Sequence, residues 1–125
     1  NIGLVPDVGS TWLLPRLAGR ARAQAMMMLG ERIPAETALD WGMVCEVAPA
    51  DTFAARAREV AMEIANDATI ALSEIKQIVG LAQRIDLHSA FETEAQAVNR
   101  TSRTKDNVAA IRVFGSKEKP VFSGE

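Results

Sequence analysis

Apolar residues recur every three or four positions along most of this chain, a spacing that predicts amphipathic helices rather than strands. Arg20–Leu29 places Ala21, Ala25, Met28 and Leu29 on one face, with Gly30 where a helix terminator belongs. The Met26-Met27-Met28 run within it reads as adaptable core packing. Pro34 opens a short helix, Ala35–Asp40, which Gly42 ends, and Met43–Val47 follows as a short strand or extended segment. Asp51 is placed to cap a helix from Thr52 to Ala65, with Phe53, Ala57, Val60, Ala61 and Ile64 as its buried stripe. The pattern repeats over Ala68–Leu81 with Ala71, Ile75, Ile78 and Ala82 in register, and Gly80 weakens the last turn. Asp86 caps a third long helix through Leu87, Phe91, Ala95 and Val98, and Thr104 caps the last, which ends about Phe114. The tail from Ser116 to Glu125 has no periodicity and is expected to be irregular, anchored if at all by Val121 and Phe122.

The first nineteen residues follow a different logic. Asn1–Val5 is a short apolar run leading into Pro6-Asp7-Val8-Gly9, where proline fixes one dihedral and glycine permits unusual ones, so the four residues read as a tight turn. A helix from Thr11 to Leu17 follows, with Ser10 or Thr11 as its cap, and Pro15 is expected to end or kink it before Gly19 closes the unit. Asp7 is the only acidic residue in this stretch. Burial among Leu4, Val5, Val8 and Trp12 would make its carboxyl a usable proton carrier near neutral pH. The alternative is an ordinary turn aspartate whose side chain bonds nearby backbone amides.

Composition narrows the classes. With 125 residues, 48% hydrophobic and 24% charged, the chain suits one soluble domain with a modest core. Its 16 acidic and 14 basic residues are interspersed, so neither a nucleic-acid stripe nor a polybasic membrane segment is present, and neither partner is expected. Cys45 is alone and reads as a small apolar residue; His88 reads as a solvated surface residue off its helix stripe. No metal-ligand cluster is evident, and no apolar run approaches the roughly 18 residues that span a bilayer. A cytoplasmic protein is the default expectation.

The run IGLVPDVGSTWLLPRLAGRARA resembles a block of the crotonase superfamily, the enoyl-CoA hydratases and isomerases. The likeness continues through Leu29-Gly30-Glu31-Arg32-Ile33 and Trp41-Gly42-Met43-Val44, then closes on Val113-Phe114-Gly115-Ser116-Lys117 and Pro120-Val121-Phe122-Ser123-Gly124. It implies a mostly α fragment of an α/β crotonase (ClpP/crotonase-like) fold whose β-spiral core lies largely upstream. Residues 1–19 would be the end of the core with the Asp7 turn, and residues 20–125 a helical region for trimerisation and CoA covering. The start at Asn1, inside an apolar run and without an initiator methionine, agrees with a C-terminal part.

In that family two backbone amides hold the thioester carbonyl of an acyl-CoA and stabilise an enolate, and side chains choose the reaction. The resemblance implies an acyl-CoA thioester substrate, no cofactor beyond the CoA it carries, no metal, and a homo-oligomer, a trimer or dimer of trimers. Asp7 stands where the family's hydratases have glycine, and GLVPDxGxTWxLPRL is especially like the ring-epoxide isomerases of phenylacetyl-CoA breakdown, so Asp7 is the implied catalytic residue. Leu4, Pro6 and Trp12 are implied pocket residues, and Phe114 and Lys117 match a segment whose ring and ammonium approach the adenine and phosphates of CoA. Ser10 departs from a frequent family glycine, which makes that loop less permissive. The hydratase glutamates would fall upstream of Asn1. A hydratase, or a non-catalytic helical assembly module, therefore remains the alternative, and residues 1–125 alone are expected to be inactive.

Overall fold

A computed structural model describes residues 3–125; Asn1 and Ile2, the start of the expected extended run, lie outside the described residues. Among these residues seven helices succeed one another without a strand: α1 Ser10–Ala18, α2 Arg20–Leu29, α3 Ala35–Asp40, α4 Phe53–Ala65, α5 Thr69–Ala82, α6 Leu87–Thr101 and α7 Lys105–Val113. The mostly α expectation therefore holds, and Met43–Val47 is irregular rather than a strand. The chain divides into two compact units, the first ending at Phe53 and the second running from Ala54 to Glu125.

In the first unit α1 packs on α2 across a single residue, Gly19. Its φ of 82° and ψ of 154° lie in a region essentially reserved for glycine, and they let α2 start immediately where α1 stops. The small residues Ala18 and Ala23, on either side of that corner, are both buried. This corrects the face expected for α2: Ala23 is the buried residue, Met26 and Met27 are half-buried, and Met28 and Leu29 are exposed. A close helix crossing selects a small residue over the longer ones beside it.

Of the two effects expected of Pro15, ending the helix does not occur, since the proline lies inside α1 and the helix continues to Ala18. Proline removes the amide that would bond to Thr11 and crowds that carbonyl. One residue along, the Arg16 guanidinium donates to the Trp12 carbonyl at 2.8 Å and lies 3.8 Å over the Trp12 ring, which braces the turn on the other side. The cap of α1 is Gly9 in the left-handed region, not the Ser10 or Thr11 hydroxyl. The ends of α2 and α3 follow their signals: Gly30 (φ 70°) donates to Met26, and Gly42 (φ 71°) follows α3.

The second unit is organised by α5 against α6. Ala97 is buried there, and Arg100 bridges to Glu74. Asp86 accepts from the Ser89 amide at 3.0 Å and Thr104 from the Asn107 amide at 3.1 Å, so both expected caps form. The apolar stripes are another matter. Phe53 and Ile64 of α4, Ile75 of α5, and Leu87, Phe91 and Val98 of α6 are all exposed, while Val60, Ala71 and Ile78 are half-buried, so the stripes exist at the expected spacing but are only partly covered by the described residues.

The tail is held differently from the expectation. Val121 is exposed and Phe122 half-buried, and the polar anchor is Asp106 in the first turn of α7, 2% exposed. Its carboxylate accepts from the Ser123 amide at 2.6 Å, the Ser123 hydroxyl at 3.3 Å and the Gly124 amide at 3.0 Å. Its own amide donates to the Glu125 carbonyl at 3.3 Å, and Lys105 pairs with the Glu125 carboxylate. A buried charge persists only when so paired, and the hydrophobic signal at Val121 gave no hint of it.

Candidate active site

The carboxylate of Asp7 sits on a backbone that is locked while the side chain is not. The Asp7 carbonyl accepts from the Ser10 amide at 3.0 Å and from the Ser10 hydroxyl at 2.6 Å, closing a turn over Val8 and Gly9. Both central residues have positive φ, 52° at Val8 and 79° at Gly9, the pattern of a type I′ turn. Gly9 takes this conformation freely and its carbonyl then accepts from Trp12 and Leu13 to start α1. Val8 does not: it is the only non-glycine residue with positive φ among the described residues, and it is β-branched. Among the described residues the Asp7 carboxylate has no hydrogen bond or ion pair.

Leu4, Pro6 and Val8 flank Asp7, and all three are exposed, Val8 to 91%. Trp12, the first-turn aromatic of α1, is 39% exposed with one ring face against Arg16. The expected burial of Asp7 is therefore corrected: the carboxylate and its apolar neighbours face outward, because residues 3–9 belong to no helix or strand and the first unit supplies no layer over them. What remains is an apolar strip with one carboxylate in it. Such a strip encloses that group only when another surface covers it.

Phe114 and Lys117 belong to the second unit, at the exit of α7, and both are exposed, Phe114 to 92%. Phe114 is the C-cap of α7, and Gly115 (φ 82°) turns the chain away. Ser116 then fixes the turn carrying Lys117. Its amide and hydroxyl donate to the Val113 carbonyl at 2.9 and 2.8 Å, and its hydroxyl accepts from the Glu118 amide at 3.1 Å.

The other candidates are peripheral. His88 is exposed and within 3.4 Å of Glu92, Cys45 is free and exposed, and among the described residues no group of three potential metal ligands comes together. None of the described helices is long and apolar enough to cross a membrane. Sequence reasoning missed Val8 and Asp106. Only the combination of a β-branched residue with a following glycine in a Pro-Asp turn could have flagged Val8, and for Asp106 no local signal exists.

The fold and this turn define the class. Residues 1–125 match the model of the enoyl-CoA hydratase/isomerase family, and the chain belongs to it. It is 37% identical over 125 residues to the 1,2-epoxyphenylacetyl-CoA isomerase of Escherichia coli strain K12, covering 100% of this chain and 48% of that protein. It is 31% identical over 124 residues to the 2,3-dehydroadipyl-CoA hydratase of the same strain, covering 99% of this chain and 49% of the relative. A crystal structure of enoyl-CoA hydratase from Bacillus anthracis superposes with a TM-score of 0.90 at 33% identity, over 99% of this chain and 48% of that one. The chain thus spans about half the length of the relatives it matches.

Proposed function

We propose that residues 1–125 form the C-terminal part of an acyl-CoA isomerase in which Asp7 moves the proton. The observation that carries this reading is the Pro6-Asp7-Val8-Gly9 turn, with its doubly held carbonyl and a carboxylate that, among the described residues, has no hydrogen bond or ion pair and stands among apolar side chains. The thioester carbonyl is polarised by two backbone amides supplied by the rest of the protein. Asp7 takes a proton from the carbon next to that carbonyl, the bonding pair delocalises into an enolate, and the same carboxyl returns the proton at the γ carbon of a β,γ-enoyl chain. The double bond moves into conjugation and nothing is consumed. No cofactor takes part, because CoA arrives with the substrate. Leu4, Pro6 and Trp12 line the acyl path, and Phe114 and Lys117 meet the adenine and phosphates of CoA in a homotrimer or dimer of trimers. Residues 1–125 alone do not turn over, since the oxyanion-hole amides lie outside them.

The likeness to a hydratase as well as to an isomerase supports a second reading, addition of water across an α,β-enoyl-CoA. Product analysis separates the two. The full-length protein is given β,γ- and α,β-enoyl-CoA, and products are identified by mass. Conversion of the first substrate to its conjugated isomer with no gain of water supports isomerisation; efficient hydration of the second without isomerisation of the first overturns it. A protein that assembles but neither binds nor converts either thioester is the helical assembly module instead.

A further inference from the structure

The segment 114–122 leaves the C-terminal end of α7 at Val113 and returns to its N-terminal end, where Ser123 and Gly124 dock on Asp106. Seven helical steps separate Asp106 from Val113, about 10 Å at 1.5 Å per residue. Nine extended residues reach about 30 Å. The loop therefore has roughly threefold more chain than its span needs, and its shape depends on what fixes its two ends. Ser116 fixes the near end. Asp106 fixes the far end, at the cost of a buried carboxylate.

We propose that Asp106 is a positioning residue for nucleotide recognition: by closing this loop it holds Phe114 and Lys117 in the arrangement that receives the adenine and phosphates of an acyl-CoA. The inference rests on the reading of Phe114 and Lys117 as CoA contacts. Three features of the structure carry it further. The carboxylate is spent wholly on the tail, with three donors from Ser123 and Gly124. The tail reciprocates, since the Glu125 carbonyl takes the Asp106 amide and the Glu125 carboxylate pairs with Lys105. Gly124, at φ 75°, has the left-handed conformation that lets its amide reach Asp106, and a Cβ there would lie 3.0 Å from Thr69 Oγ1, so the docked tail is fitted against the start of α5. Phe114, 92% exposed, and Lys117, also exposed, gain nothing from this within the chain. An ordered loop with two uncovered recognition groups lowers the entropy lost when a ligand immobilises them.

The test uses the full-length protein and two thioesters of one acyl group, the CoA thioester and the pantetheine thioester, which lacks the nucleotide. Asp106→Ala is expected to raise KM for the CoA thioester about tenfold, the ordering of two long side chains, with kcat and the pantetheine kinetics unchanged. Gly124→Ala loosens the same clasp without removing the buried charge and is expected to shift KM in the same direction, so a poorly folded Asp106→Ala does not end the test. Asp106→Glu, retaining the acceptor, is expected to recover part of the loss. Equal effects on both thioesters, or none on either, overturn the proposal. Phe114→Ala and Lys117→Ala distinguish the failures: if they raise KM for the CoA thioester and the clasp variants do not, only the clasp inference falls. If they leave it unchanged, the CoA-contact reading falls and the inference with it.

Discussion

Arg100 grips Glu74 at two points, its Nε and Nη2 each donating at 2.7 Å to one carboxylate oxygen, and so ties α6 to α5. Two parallel charge-assisted bonds fix the orientation of the helices as well as their separation. The exposed apolar residues of both helices are thereby held in one arrangement without a closed core between them.

The hydrogen bonds from Arg100 hold the Glu74 carboxyl below its ordinary value of 4.5, and the Ser89 amide and hydroxyl do the same for Asp86. For a folded-state value below the unfolded one, the stabilisation is complete above the unfolded value and is lost as pH falls through the folded one. Acid unfolding followed by far-UV circular dichroism should therefore steepen below pH 4.5. Glu74→Gln should lower stability at neutral pH and flatten that acid limb. Superimposable acid curves for the variant and the parent would remove the pair from the description.

Thr104 caps α7 beside the buried Asp106, so its loss exposes an unpaired first-turn amide. Thr104→Ala should cost about 1 kcal/mol in chemical denaturation, and Thr104→Ser nearly nothing. Equal losses in the two variants would assign the effect to the methyl group rather than to the cap.

Val8 in a left-handed conformation costs roughly 1–2 kcal/mol, and its exposed side chain recovers none of it by packing within this chain. Glycine at this position gives back roughly 0.5–1 kcal/mol through the entropy of the unfolded chain. Val8→Gly is thus expected to raise the melting temperature slightly, and Val8→Ala to leave it nearly unchanged. A clear drop for the glycine variant would mean that the valine side chain is buried in the full-length protein by a surface that residues 3–125 do not contain.

Much of the helical order was legible because its determinants are local. Asp86 and Thr104 cap through residues three positions on, and Gly30 ends α2 through its own backbone freedom. The stripes of α4, α5 and α6 were legible too, but their burial was not, since periodicity says which face is apolar and not what covers it, and for α2 the buried face itself was set by the close crossing at Ala23. The same gap explains Asp7, whose turn was readable from Pro6 and Gly9 while its exposure depends on surfaces remote in sequence. Pro15 did not end α1, because a proline removes one helical hydrogen bond, the one to Thr11, while the turns on either side of it keep theirs. Asp106 was invisible because its donors lie 17 and 18 residues away in a tail without pattern.

The most direct measurement compares the full-length protein with its Asp7→Asn variant for isomerisation of a β,γ-enoyl-CoA in heavy water. The asparagine keeps the turn, whose hydrogen bonds use the Asp7 carbonyl and not its side chain, so folding and CoA binding should persist. Asp7 as proton carrier predicts that the parent isomerises and incorporates deuterium while the variant binds and does neither, a loss of at least about a hundredfold. Equal isomerisation and equal exchange in the two proteins would make Asp7 a turn residue and move the proton to another group.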